Sequence, residues 1–114
     1  MLKLFFYVLL VFLQLPVIQD INKDQVNSLI DDKVMLIDIR TEKEFENGKI
    51  QSSFNIDFQK REFIDNLNKL DKEKPYIIYC MSGNRSLKAS HVMKSLGFKM
   101  IYHYKEGYED WIKD

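Results

Sequence analysis

The sequence predicts an α/β domain with a central, mostly parallel sheet of about five strands and helices on both faces. Segments with strand-like patterns alternate with segments of helical spacing from residue 18 to residue 112, and this alternation is typical of parallel sheets. In addition, residues 34–39 and 76–79 are nearly continuous apolar runs. Such runs are typical of strands that are buried on both faces.

The predicted strands and helices alternate along the chain. The strands cover residues 18–21, 34–39, 55–56, 76–79 and 100–104. The helices, with their capping residues, cover residues 22–30, 41–46, 58–70, 86–96 and 108–112. Two helix starts carry a capping box, in which Asn22 precedes Gln25 and Thr41 precedes Glu44 by three residues. Gly97 is placed to end the fourth helix, because glycine readily adopts the left-handed conformation.

Residues 1–17 differ from the rest of the chain. Residues 4–13 are an unbroken apolar run after Lys3, too short for a membrane span of about 20 residues but typical of a secretory signal. We expect residues 1–17 to be a signal peptide or membrane anchor, residues 18–114 to be the domain, and the protein to be exported to the periplasm or cell envelope. No Ala, Gly or Ser precedes Ser28, which leaves cleavage and retention both open. The alternative is a buried first strand in a cytoplasmic protein.

Composition excludes several classes of function. The chain has 114 residues, enough for one domain, and its 17 basic and 17 acidic residues give a formal net charge of +0. A neutral chain without basic and aromatic clusters is not expected to bind nucleic acid. It has a single cysteine and two histidines, so neither a disulfide nor a metal site is expected.

The single cysteine, Cys80, directly follows the apolar run of residues 76–79. Ligands bind at the carboxyl ends of strands in open α/β sheets. The polar loop that follows Cys80 consists of Met81, Ser82, Gly83, Asn84, Arg85 and Ser86. Because Gly83 can take a positive φ, we expect the loop N–H groups to converge on the sulfur, with Arg85 as the adjacent cation. Such surroundings lower the pKa of a thiol from about 8.5, which predicts a reactive thiolate.

The other polar residues are expected either to contact the sulfur or to have structural roles. The hydroxyls of Ser82 and Ser86 could donate to the sulfur, and Ser86 could equally be the N-cap of the following helix. Asp38 and Arg40 are expected to form a buried or half-buried ion pair, or a hydrogen-bonding centre, at a strand end. The acidic side chains of the second helix are expected to face solvent; these are Glu42, Glu44 and Glu46. Neither His91 nor His103 is spaced as a partner of Cys80.

Four short motifs follow one another along the chain. The first comprises Asp38, Arg40, Glu44, Phe45, Gly48, Ile50 and Asn55, and the second Cys80, Gly83, Arg85 and Ser86. The third is Leu96, Gly97 and Phe98, and the fourth is Gly107 with Trp111. In this order they resemble the motifs of rhodanese-like domains, which carry sulfur as a persulfide on a cysteine. The chain departs from the family pattern in having Met81 for an arginine, Lys49 for a histidine and Glu106 for a glycine.

The resemblance implies the rhodanese fold and a sulfurtransferase without a cofactor. Cys80 would take sulfur from thiosulfate or a low-molecular-weight persulfide and pass it to cyanide, a thiol or a protein cysteine. One alternative is a non-catalytic binding module. A cysteine phosphatase or arsenate reductase is disfavoured, because their loops place five residues between cysteine and arginine, whereas Cys80 and Arg85 are separated by four. Nothing in the sequence indicates an oligomeric state.

Overall fold

The described part of the chain folds into a five-stranded, all-parallel sheet with helices on both faces. The structure is a computed structural model that describes residues 2–4 and 16–113. The strands are β1 (Ile18–Asp20), β2 (Met35–Asp38), β3 (Phe54–Asn55), β4 (Tyr76–Tyr79) and β5 (Ile101–His103). The helices between and after them are α1 (Lys23–Asp31), α2 (Glu42–Glu46), α3 (Phe63–Asn68), α4 (Asn84–Ser95) and α5 (Gly107–Trp111). The predicted fold class is therefore confirmed.

The strand order β1-β5-β4-β2-β3 places β4 at the centre of the sheet. All four residues of β4 are buried, as its apolar sequence predicts. Parallel pairing aligns Ile78 with Ile37 of β2 and with His103 of β5. The residue that follows β4, Cys80, therefore lies in the middle of the carboxyl edge of the sheet.

Alternate strand residues pack into two apolar layers, one on each face of the sheet. Helices α3 and α4 cover the first face, where the packed residues include Ile37, Ile78, Ile101, Phe63, Leu67, Ala89 and Met93. Helices α1 and α5 cover the second face, where they include Leu36, Ile77, Tyr79, Tyr104, Val26 and Trp111. The sheet is thus enclosed on both sides, and its carboxyl edge is left for a binding site.

Most of the predicted helix ends are confirmed. Both capping boxes are present, and Gly97 follows α4 with a φ of +97°. The helix predicted over residues 58–70 is shorter, because Phe58 donates its N–H to the carbonyl of Ile39 and so extends along the sheet. The ring of Phe58 still packs edge-on against that of Phe63, with the centroids 5.0 Å apart. Its apolar character therefore reflects core packing and not a helical turn.

The prediction of a signal peptide or anchor over residues 1–17 falls mainly on residues 1 and 5–15, which lie outside the described residues. Within residues 2–4 and 16–113, none of the helices has the length and apolar character needed to cross a membrane.

The predicted ion pair between Asp38 and Arg40 is present and fully buried. The Arg40 Nη2 atom lies 2.7 Å from Asp38 Oδ2, and the two side chains are 1% and 0% exposed. Arg40 also donates to the carbonyl of Gly48 over 2.6 Å, and its guanidinium lies 4.2 Å from the ring centre of Tyr108. One buried cation thus ties the end of β2 to the segment before β3 and to α5.

We predict that Asp38→Ala lowers the free energy of unfolding by about 3–5 kcal/mol, because it leaves the Arg40 charge buried without its partner. Urea unfolding followed by circular dichroism measures this change. The matched control is Glu42→Ala, which removes an ion pair with Lys60 in which both side chains are about half exposed. That variant should lose much less than Asp38→Ala, because ion pairs between exposed side chains contribute little to stability. Equal losses in the two variants would contradict the prediction.

Candidate active site

The Cys80 sulfur lies inside the loop that links β4 to α4. Its Sγ atom accepts the backbone N–H of Gly83 over 3.1 Å and that of Ser86 over 3.3 Å. The Ser86 hydroxyl lies 3.2 Å from the same atom. Cys80 is 1% exposed, yet its sulfur points into a ring of hydrogen-bond donors. The expected convergence of loop N–H groups on the sulfur is therefore seen in the structure.

The loop keeps this orientation because α5 binds its carbonyl groups. The backbone N–H of Tyr108 donates to the Cys80 carbonyl over 2.9 Å, and that of Glu109 donates to the Met81 carbonyl over 3.1 Å. Gly107 is needed for this contact, since it has a φ of +70° and a Cβ there would lie 2.5 Å from the Met81 oxygen. Glu106 has an ordinary helical φ of −68°, so replacing the family's first glycine is compatible with the turn.

Gly83 begins the helix that follows the loop. It is the N-cap of α4, with a φ of +100°, and a Cβ there would lie 2.3 Å from the carbonyl oxygen of Lys105. The interpretation of Ser86 as the N-cap is therefore wrong, because α4 starts at Asn84. Ser86 lies in the first turn, where backbone N–H groups have no partner within the helix. This position is what directs the Ser86 N–H at the sulfur.

Two opposing effects act on the pKa of the Cys80 thiol. Burial raises that pKa, while hydrogen bonds from the Ser86 side chain and from the backbones of Ser86, Gly83 and Ser82 lower it. The hydrogen bonds outweigh burial, so the pKa of Cys80 lies below its ordinary value. Donors that stabilise the charged form have this effect in general.

Arg85 is held at the loop by a carboxylate from α2. Its Nη1 and Nη2 atoms donate to Glu44 Oε1 and Oε2 over 2.7 and 3.0 Å. The expectation that Glu44 faces solvent is therefore wrong, since its side chain is only 29% exposed. Hydrogen bonding from Arg85, opposed by burial and aided by Thr41, lowers the pKa of Glu44 to about 2. A two-pronged contact of this kind orients the guanidinium beside the loop.

The remaining loop side chains form the rim around the sulfur. Met81 is partly buried, while Ser82 and Asn84 are exposed. Ser82 reaches the sulfur through its backbone, and the hydroxyl that contacts Sγ comes from Ser86. Asp38 and Arg40 lie one strand away, where they hold the end of β2. Among the described residues, no group of three or more His, Cys, Asp or Glu side chains is placed to hold a metal ion.

Sequence reasoning missed the connection of His103 to the loop. His103 Nε2 lies 2.7 Å from Ser86 Oγ, and His103 Nδ1 lies 3.2 Å from Asp20 Oδ1. Asp20 and His103 are register partners at the ends of β1 and β5, the sheet edge at which Cys80 lies. The sequence did hold a signal, because polar residues at the ends of neighbouring parallel strands share one edge.

A comparison with family models identifies the family of this domain. The family model of the rhodanese-like domain matches residues 22–114. The chain belongs to the rhodanese-like family. A solved rhodanese-like domain protein from Staphylococcus aureus superposes with a TM-score of 0.73 at 28% identity, covering 84% of this chain and 93% of that one.

Two curated relatives of this rhodanese-like chain carry different names. The tRNA uridine(34) hydroxylase of Pelagibacter ubique is 38% identical over 82% of this chain and 32% of its own length. A mitochondrial protein of Schizosaccharomyces pombe, named as a candidate thiosulfate sulfurtransferase, is 33% identical over 71% of this chain and 65% of its own. The chain thus spans about a third of the first relative and just under two thirds of the second.

We predict that Glu44→Gln flattens the dependence of stability on pH. Because the pKa of folded Glu44 is about 2, below its ordinary 4.5, its ion pair with Arg85 stabilises the fold fully above the ordinary pKa. That contribution is lost as the pH falls towards 2. Between about pH 5 and pH 2 the wild type should lose about 1–2 kcal/mol more than the variant, allowing for solvent screening.

Urea unfolding at several pH values measures this difference. The control is Glu46→Gln, at the end of the same helix on an exposed side chain, which should follow the wild-type curve. A Glu44→Gln curve parallel to that of the wild type would show that the ion pair contributes nothing to stability.

Proposed function

We propose that this rhodanese-like domain is a sulfurtransferase that carries sulfur as a persulfide on Cys80. The observation that supports it most strongly is the pair of N–H groups, from Gly83 and Ser86, that donate to the sulfur, with the Ser86 hydroxyl 3.2 Å from the same atom. These donors stabilise a thiolate, which is the nucleophilic form of cysteine. They also remain in place to stabilise the anion of a bound persulfide.

In the first step the Cys80 thiolate attacks the outer sulfur of the donor. With thiosulfate, a bond forms between Sγ and the outer sulfur, the sulfur–sulfur bond of the donor breaks, and its electron pair leaves with sulfite. The product is a Cys80 persulfide anion, so that charge and electrons balance. The loop N–H groups lie around the sulfur, and Arg85 is held beside them by Glu44. Donors that are already positioned stabilise the developing charge without reorganisation.

In the second step an acceptor takes the outer sulfur. Cyanide, or the thiolate of a small molecule or protein, attacks that sulfur, and the electron pair of the broken bond returns to Cys80 Sγ. This sequence has no second cysteine, so the acceptor comes from another molecule. The cycle regenerates the thiolate and consumes no cofactor.

The charge at the rim bears on the choice of donor. Met81 carries no charge where the family often has an arginine, and the Arg85 charge is partly compensated by Glu44. The rim therefore attracts the thiosulfate dianion less strongly than a rim with arginine at both positions 81 and 85 would. We infer that a low-molecular-weight persulfide is the better donor and that thiosulfate is a weak one.

The relatives named tRNA uridine(34) hydroxylase favour a second candidate, a role of this domain in tRNA modification. The chain spans only 32% of such a protein. Its neutral formal charge gives no long-range attraction to an RNA backbone. In this role the domain would act beside another segment or protein that holds the tRNA.

We predict that native protein treated with a low-molecular-weight persulfide gains the mass of one sulfur atom, located at Cys80, and that thiosulfate loads it more slowly. Cyanide should remove the added atom as thiocyanate. Intact-mass spectrometry followed by peptide mapping measures both events.

Two controls accompany this experiment. Cys80→Ser should gain no sulfur, and the urea-unfolded wild-type chain should load far less because its thiol lacks the donors of the loop. Failure of native protein to load from either donor would refute the sulfurtransferase and would favour the non-catalytic binding module. Equal loading of native and unfolded chains would refute the role given to the loop.

A further inference from the structure

We propose that Ser86, His103 and Asp20 form a relay that takes the proton from the Cys80 thiol. The inference deepens the proposed function and rests on it in one respect, that the thiolate is the reactive form. His103 and Asp20 are thereby assigned as positioning residues, which act on the sulfur through the Ser86 hydroxyl.

The relay is a continuous chain of contacts across three strands and a helix. Sγ of Cys80 lies 3.2 Å from Ser86 Oγ, which lies 2.7 Å from His103 Nε2, and His103 Nδ1 lies 3.2 Å from Asp20 Oδ1. Each separation allows a hydrogen bond. Parallel pairing of β1 with β5 sets Asp20 opposite His103, so the last contact is fixed by the register of the sheet.

The chemistry of Asp20 sets the direction of the chain. An ionised carboxylate only accepts, so His103 Nδ1 carries the hydrogen and Nε2 of the neutral ring is an acceptor. The Ser86 hydroxyl then donates to Nε2, and its oxygen is free to accept the S–H of Cys80. Every donor in this arrangement faces an acceptor, from the thiol to the carboxylate.

Proton transfer reverses these hydrogen bonds without moving a heavy atom. The S–H bond breaks with its electron pair left on sulfur, Ser86 Oγ takes that proton, and the former hydroxyl proton passes to His103 Nε2. The products are a thiolate, a neutral Ser86 hydroxyl that now donates to Sγ, and an imidazolium paired with Asp20. Charge is conserved, because one negative and one positive group form together.

The burial of the relay residues decreases along a path from the buried sulfur to solvent. Ser86 is 0% and His103 is 2% exposed, whereas the Asp20 side chain is 57% exposed. Burial lowers the pKa of His103, whereas the Asp20 contact raises it, so Asp20 supports the imidazolium against the effect of burial. Asp20 and His103 also line a cleft of about 460 Å³ beside the loop, which links the relay to solvent.

Other charged groups share the surroundings of the relay. Those lining the cleft with His103 and Asp20 are Lys105, Glu106, Glu109, Asp110 and Lys113. With Asp20, acidic groups outnumber basic ones there, which favours the imidazolium. On the side of the sulfur, Arg85 interacts with Cys80 through its charge. Since the Ser86 hydroxyl also lies 3.1 Å from the Gly83 carbonyl, the test separates a relay from a purely structural hydrogen bond.

The test compares the pKa of Cys80 among variants of the full chain, measured by the ultraviolet absorbance of the thiolate across pH. His103→Gln keeps a hydrogen-bonding side chain beside Ser86 but cannot become a cation. The substitution should raise the pKa of Cys80 by about one unit, which is the lower end of the effect that a nearby opposite charge has on a pKa. The thiolate fraction at neutral pH should then fall by up to about tenfold. At high pH the thiolate signals of variant and wild type should converge.

Two further variants complete the design. Asp20→Asn, at a half-exposed side chain, should shift the pKa of Cys80 in the same direction by less, because it weakens only the support of the imidazolium. His91→Gln is the matched control, since His91 is an exposed histidine on α4, and it should leave the titration unchanged. The increase in the pKa of Cys80 should therefore be largest in His103→Gln, smaller in Asp20→Asn and zero in His91→Gln.

A His103→Gln titration that matches those of wild type and His91→Gln would overturn the relay. If His103→Gln does not fold, an unshifted Asp20→Asn titration overturns it. The outcome is independent of sulfur transfer: shifted titrations without persulfide loading would leave the relay standing and refute the proposed function. Persulfide loading together with unshifted titrations would refute the relay and leave the proposed function standing.

Discussion

The arrangement of the site depends on two hydrogen bonds, which backbone N–H groups in the first turn of α5 donate to carbonyls of the loop. Because Tyr108 and Glu109 donate their N–H groups to the carbonyls of Cys80 and Met81, the loop turns its own N–H groups inward to the sulfur. These hydrogen bonds hold β4, the loop that follows it and α5 together, and Gly107 allows α5 to approach the loop closely. The thiol is buried yet surrounded by donors, and these donors outweigh the effect of burial on its pKa.

Two ion pairs support this arrangement from neighbouring elements. The Asp38–Arg40 pair is fully buried and holds the end of β2 against α5, so its main role is to fix positions. The Glu44–Arg85 pair is partly exposed and fixes the guanidinium of a residue in the first turn of α4. The carboxyl edge of the sheet thus carries a buried ion pair at the end of β2 and a partly exposed one beside the loop.

The local features of this domain could be predicted from its sequence, and the long-range contacts could not. Capping boxes, the buried strands and the glycine-bearing loop after Cys80 depend on residues close together in the chain. The Glu44–Arg85 contact joins residues 41 positions apart, and the Asp20–His103 contact joins residues 83 apart. Such pairs depend on strand order and register, which become known only once the sheet is assembled. The partners of Glu44 and His103 were therefore not predicted.

The most direct test of the account is the pKa of the single thiol, measured by thiolate absorbance in the native protein and in the urea-unfolded chain. Since the unfolded chain lacks the donors from Gly83 and Ser86, its thiol should titrate near the ordinary value of about 8.5. The native thiol should titrate at a lower pH. A native pKa equal to or above that of the unfolded chain would show that burial dominates, and it would contradict the central claim that the donors of the loop lower the pKa of Cys80.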